Sequence, residues 1–133
     1  MGALLWTCVL PGGATDEKKA IPNVKGELTS AEQRKFDYLY YEGAKLKNAG
    51  KYDAAFDMFS YCLEIDSASS PVLFELSMFY LQRNRPEKAI DMLKRAVANS
   101  SDNFTYRITL AGLERNLGMY GEASESYREL VKR

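Results

Sequence analysis

The stretch LKNAGKYDAAFDMFSYCLEID, residues 46–66, sets the pattern for most of the chain. Ala55, Phe59 and Cys62 are spaced by four and then three residues, so they share one face of a helix. Asn48-Ala49-Gly50 interrupts the periodicity just before them, and a glycine there can end a helix in a left-handed turn without steric cost. The pattern predicts helices over about Ala31–Asn48 and Tyr52–Ile65. Thr29-Ser30-Ala31-Glu32 reads as a capping box that opens the first, the Thr oxygen and the Glu carboxylate each bonding the other's amide. A third helix starts at Ser69 or Ser70, with Pro71 near its first position, where a missing amide costs nothing. Pro86 opens a fourth. Ser101 or Asp102 is expected to cap a fifth that ends before Gly118, and a sixth runs from Tyr120 to the end.

The layout repeats every 34 residues. Gly50, Asn84 and Gly118 are one column; Tyr52, Pro86 and Tyr120 are another. Ala55, Ala89 and Ala123 follow, then Phe59, Leu93 and Tyr127, then Cys62, Ala96 and Leu130. Gly43, Ser77 and Ala111 keep the same step and are all small. Such self-similarity marks a stack of like units. The small columns have a packing reason. Antiparallel helices joined by a short turn approach closely, so Gly43, Ser77 and Ala111 are expected to face Ala55, Ala89 and Ala123.

A helix-turn-helix of this length with these columns resembles the tetratricopeptide repeat. The resemblance covers Phe36 to Arg133 as units 36–69, 70–103 and a shorter 104–133. Leu39, Leu73 and Arg107 stand where the family has a large aromatic, and Ser67 and Ser101 where it has proline. The resemblance implies an all-α, right-handed superhelical solenoid of three repeats, with the first helix of each unit lining a concave groove. Mapped by the repeat, the groove holds Asp37, Tyr40, Tyr41, Ala44, Asn48, Phe74, Glu75, Met78, Gln82, Thr105, Ile108 and Thr109. The expected peptide-binding set is Tyr40, Tyr41, Ala44, Phe74, Glu75, Met78, Thr105 and Ile108. Phe74 and Ile108 also suit packing between units. Some family members clamp the terminal carboxylates of heat-shock chaperones with cationic groove residues. The matching positions here are Tyr40, Ala44, Glu75, Thr105 and Thr109, none of them cationic, which argues against that role.

Composition narrows the function. Of 133 residues, 46% are hydrophobic and 27% charged, enough for one domain with a real core. Eighteen basic and 18 acidic residues cancel, which argues against a general nucleic-acid binder. The absence of histidine removes the commonest general base and metal ligand. The two cysteines, Cys8 and Cys62, form no metal or redox motif, and Cys62 sits in a column of core residues. Neither an enzyme, a cofactor nor a metal site is expected. Glu114, Glu122, Glu125 and Glu129 read as a solvated face.

The first residues differ from the rest. Ala3–Leu10 is apolar except for Thr7, and is followed by Pro11, Gly12, Gly13 and Ala14. Residues 1–14 read as a signal-peptide remnant cleaved after Ala14, although Met1-Gly2 supplies no basic leader. A lipid-anchored Cys8 and an apolar arm are the alternatives. The run is too short to span a bilayer. Residues 15–29 form a linker, and 30–133 the repeat domain. A signal would place the protein in a bacterial periplasm or envelope; without one it is cytoplasmic. The sixth helix keeps Ala123, Tyr127, Leu130 and Val131 with no further helix expected to cover them. Further repeats, a second chain or the N-terminal arm are the expected covers. The function expected is a protein- or peptide-binding scaffold. The alternatives are a substrate-positioning segment of a larger enzyme or secretion machine, and a self-association module. The small columns generate a direct check: Ala89→Leu should cost roughly 1–3 kcal/mol by overpacking, and an unchanged melting midpoint would contradict the assignment.

Overall fold

The computed structural model describes residues 27–132; residues 1–26, and with them the expected signal and most of the expected linker, lie outside the described residues. Six helices follow in order: α1 Ser30–Asn48, α2 Tyr52–Ile65, α3 Ser70–Gln82, α4 Pro86–Asn99, α5 Phe104–Asn116 and α6 Tyr120–Val131. They form three antiparallel hairpins, α1–α2, α3–α4 and α5–α6. Among the described residues there are helices and turns and no strand, an all-α helical-repeat solenoid.

The ends of the helices follow from a few side chains. Thr29 Oγ1 accepts from the Glu32 amide at 3.1 Å, and Glu32 Oε1 accepts from the Thr29 amide at 2.9 Å, so the capping box is formed. Ser69 caps α3, with Pro71 in the first turn. The fifth helix is capped by Asn103, whose Oδ1 accepts from the Tyr106 amide at 3.0 Å, rather than by Ser101 or Asp102. Those two residues form the turn ahead of the cap. Asn103 stands 34 residues after Ser69, so the repeat step locates the cap better than local composition does.

Each hairpin turns in the same way. Gly50, Asn84 and Gly118 have φ of 80°, 61° and 81°. Glycine adopts this left-handed geometry freely and asparagine with little strain. The next amide then reaches back to a carbonyl of the first helix: Lys51 to Leu46 at 2.9 Å, Arg85 to Tyr80 and Met119 to Glu114 each at 2.8 Å. This arrangement satisfies carbonyls that a helix end leaves open.

Beyond each turn the small columns close together. Gly43, Ser77, Ala111, Ala55, Ala89 and Ala123 are all buried. The contact at Gly43 differs in one respect from the expected Gly43–Ala55 pairing. A β-carbon there would stand 3.0 Å from Phe59 Cζ and 3.1 and 3.2 Å from Cε1 and Cε2, so the Phe59 ring lies over the glycine. That ring is fully buried and packs edge-on against Tyr40 at 5.4 Å between centroids, with Phe79 at 6.0 Å. Phe59, Ala55 and Cys62 join Val72, Leu76 and Phe79 of α3 in one core cluster. Ile90 and Leu93 of α4 join Leu110 of α5 in a second, with Phe74 and Met78 against it. Each second helix is thus covered by the first helix of the next unit. On α6, Tyr127 and Leu130 are only half-buried and Val131 is exposed, because no described helix covers them.

The opposite end of the stack is polar. The columns that hold Leu76 and Leu110, and Phe79 and Leu113, hold Glu42 and Lys45 in α1, joined by a 3.0 Å ion pair. The first helix therefore presents water with charges where later helices present hydrocarbon to their neighbour. Glu114 reverses the expectation of a solvated face: it is 2% exposed and accepts from Ser126 Oγ at 2.7 Å. Its column also holds Leu46 and Tyr80, both packed against the first core cluster.

Two helical glycines should answer oppositely to the same substitution. Gly112 has no heavy atom within 4 Å of where a β-carbon would stand, so Gly112→Ala should raise stability by about 0.5–1 kcal/mol through helix propensity. Gly43→Ala gains the same propensity but must displace the fixed Phe59 ring, and should lower stability by about 1 kcal/mol net. Urea unfolding of the two variants checks this; a stabilised Gly43→Ala would contradict the packing described.

Candidate peptide-binding groove

The hairpin contact uses one face of each first helix and leaves another turned away from the second helices. On α1 that face carries Asp37, Tyr40, Tyr41 and Ala44, recurring at three- and four-residue steps. With the start of α3 these residues enclose a hollow of about 440 Å³, bordered also by Phe36, Ser69 and Pro71. Its lining is nearly all hydrocarbon and aromatic ring. Pro71 is available as a wall because the first turn of a helix tolerates proline, and α3 begins there. One turn further along α1, Lys47 closes a second hollow of about 240 Å³ with Tyr52, Phe74, Glu75, Met78, Phe79 and Gln82.

Electrostatics tie the two hollows together. Lys47 Nζ donates to Glu75 Oε1 at 2.8 Å, linking α1 to α3. Burial raises the Tyr40 hydroxyl above its ordinary value, with the Glu75 carboxylate and then Tyr106 and Cys62 adding to the shift. The Tyr106 hydroxyl is raised by burial and by Glu75. Both phenols therefore stay protonated and neutral near pH 7. Tyr106 stacks on Phe74 with centroids 5.0 Å apart, carrying the aromatic surface from α3 to α5.

Of the residues expected from the sequence, Tyr40, Tyr41 and Ala44 border the larger hollow, and Phe74, Glu75 and Met78 the smaller. Tyr41 is 63% exposed, with Lys45 Nζ 5.4 Å from its ring centroid. Phe74 and Met78 serve twice, since both also pack on the core cluster of Ile90, Leu93 and Leu110. Thr105 and Ile108 are exposed and border neither hollow. Seven neighbours were not expected there: Phe36, Ser69, Pro71, Lys47, Tyr52, Phe79 and Tyr106. Lys47 lies three residues beyond Ala44 and the helical step reaches it. Tyr106 occupies the column of Val72, a core position, so the repeat arithmetic gives no hint of it. A separate hollow of about 440 Å³ near Pro86, Ile90, Leu117 and Met119 is lined by charges of both signs, Glu87, Asp91 and Lys94, and lies on the second-helix side.

Among the described residues no group of three or more acidic or sulfur ligands could hold a metal ion, and no helix is long and apolar enough to cross a membrane. Cys62 is fully buried, its thiol 3.7 Å from the Phe36 carbonyl oxygen, and burial followed by the Asp37 carboxylate pushes it up to about 11. A protonated, enclosed thiol is a poor nucleophile.

A profile of the tetratricopeptide repeat family matches residues 48–111. No curated protein matches the sequence. Among solved structures, the second tetratricopeptide-repeat domain of Spaghetti (RPAP3), bound to an HSP90 peptide SRMEEVD, aligns with a TM-score of 0.65 at 19% identity, covering 77% of this chain and 97% of that one. A crystal structure of MamA aligns at 0.65 and 19% identity over 89% of this chain and 63% of that one. The Yersinia enterocolitica type III secretion chaperone SycD, in complex with a peptide of the translocator YopD, aligns at 0.62 and 17% identity over 70% and 71%. At these identities the likeness is one of fold.

Thiol labelling checks the packing beneath the groove. In a Cys8→Ser background, iodoacetamide at pH 8 should leave Cys62 unmodified in the folded protein and alkylate it after unfolding in urea. Rapid labelling of the folded state would contradict the buried position.

Proposed function

Since the chain belongs to the tetratricopeptide-repeat family, we propose that it is a non-catalytic scaffold whose α1–α3–α5 face binds an extended or helical segment of another protein. The observation that carries this reading is the apolar hollow between Tyr40, Tyr41, Ala44 and Pro71, which opens away from the core. A hollow of this kind holds an apolar side chain, while neighbouring polar groups fix the backbone that carries it. Two of the similar structures hold peptides, which supports the same use of the fold. The HSP90 peptide in one of them ends in acidic residues. This groove places Glu75 where such a segment would run and spends its nearest cation, Lys47, on that carboxylate. An acidic tail is therefore not the ligand we propose. The balanced charge of the chain supports a protein rather than a nucleic acid as partner.

A second reading is self-association through α6, favoured by Tyr120 and Val131, which are 69% and 82% exposed. Service as a substrate-positioning part of a larger enzyme or secretion machine uses the same groove and differs only in what is attached. For location we infer work outside the cytoplasm, on the strength of the apolar run Ala3–Leu10 and the small residues Gly12 and Ala14.

The test of the main reading is a pull-down comparing the native chain with the double variant Tyr41→Ala, Ala44→Arg. Tyr41 is largely exposed and the arginine fills the hollow from its rim, so the core should be untouched. Proteins recovered by the native chain should be lost with the variant; equal recovery by both would contradict a role for the groove.

A further inference from the structure

Two carboxylates stand along the groove, one at each hollow. Asp37 borders the hollow directly, on the α1 side, and is exposed. Its Oδ1 accepts from Gln33 of the same helix at 2.9 Å. Glu75, on α3, borders the second hollow. Glu75 is partly shielded from water, its side chain 20% exposed, and acts on both Tyr40 and Tyr106. The one cation that borders either hollow is Lys47, and it bonds one oxygen, Oε1, of the Glu75 carboxylate. A carboxylate has two acceptor oxygens and about four lone-pair directions, so one ammonium does not saturate it. Lys45, the next cation along α1, is engaged with Glu42. The groove face therefore offers an apolar hollow bordered by Asp37, a neighbouring Glu75 carboxylate only partly neutralised by Lys47, and neutral phenol hydroxyls, with Lys45 drawn to Glu42 and the Tyr41 ring.

We propose that the segment bound here is basic and apolar, inserting a leucine- or phenylalanine-sized side chain between Tyr40, Tyr41, Ala44 and Pro71 and setting a lysine or arginine beside it against Glu75. The inference rests on the groove reading above and adds the chemistry of the occupant. The charge complementarity selects this partner over an acidic one, because a carboxylate placed beside Glu75 in a partly dehydrated hollow meets a like charge at short range. Lys47 acts as a positioning residue: it holds the Glu75 side chain against α1 and moderates its field, without touching the apolar anchor.

The experiment selects random twelve-residue peptides displayed on phage against the full chain, then measures fluorescein-labelled copies of the winners by anisotropy. The expected winners carry Lys or Arg within about two residues of Leu, Phe or a similar anchor, and bind more weakly as salt is raised. Glu75→Gln should weaken them by about five- to tenfold. Lys47→Met, which frees the carboxylate, should tighten them, whereas a merely structural role for the ion pair would weaken them. Winners that are neutral or acidic, indifference to Glu75→Gln, weakening by Lys47→Met, or no winners at all would overturn the proposal. The Tyr41→Ala, Ala44→Arg variant separates the two levels. Binding lost there but kept in Glu75→Gln leaves the groove standing and removes the charge rule; binding kept in both removes both.

Discussion

The structure depends on how closely the two helices of each hairpin approach. Gly43 sits under the ring of Phe59, where a β-carbon would come within 3.0 Å of Cζ, and the other small columns are buried at the corresponding places. Close approach fixes which face of each helix is used up. The second helix turns Phe59 or Leu93 inward and offers its flank to the next unit, while the first helix keeps a face for solvent. The left-handed residues at Gly50, Asn84 and Gly118 set the same turn three times, so the spare faces of α1, α3 and α5 recur in register. The groove follows from that packing.

Core and site share side chains, and this shapes what the groove can be. Phe74 and Met78 border the hollow and also seal the second core cluster, so they fix the spacing between units as well as the surface. Tyr40 packs edge-on against Phe59, and the Glu75 carboxylate helps hold its hydroxyl protonated. Tyr41, Ala44 and Pro71 border the larger hollow without joining either core cluster. The ion pair Lys47–Glu75 and the stack Phe74–Tyr106 each bridge consecutive first helices. A ligand lying along the face would meet elements already held in place.

Much of this was legible in the sequence. Helical spacing and the 34-residue step gave six helices, their turns and the buried small columns, because those features repeat and reinforce one another. What failed was particular to single side chains. Asn103 rather than Ser101 or Asp102 caps α5, since a cap is decided by reach to one amide and not by composition. Glu114 is buried where it meets Ser126 of α6, and the bond from Ser126 makes that tolerable. Tyr106 joins the groove because its ring is long enough to reach Phe74 from a core column, which no periodicity reports. Thr105 and Ile108 lie further from the hollows than the repeat mapping implied.

The central claim is that the first-helix face, and not the second-helix or terminal face, is where a partner lies. Amide chemical-shift mapping by nuclear magnetic resonance tests it most directly, with the isotope-labelled chain titrated by a bound peptide. The account predicts the largest changes at Tyr40, Tyr41, Ala44, Lys47, Glu75 and Tyr106, with α2, α4 and α6 little affected. Changes concentrated on α6, or on Glu87, Asp91 and Lys94 of α4, would contradict it.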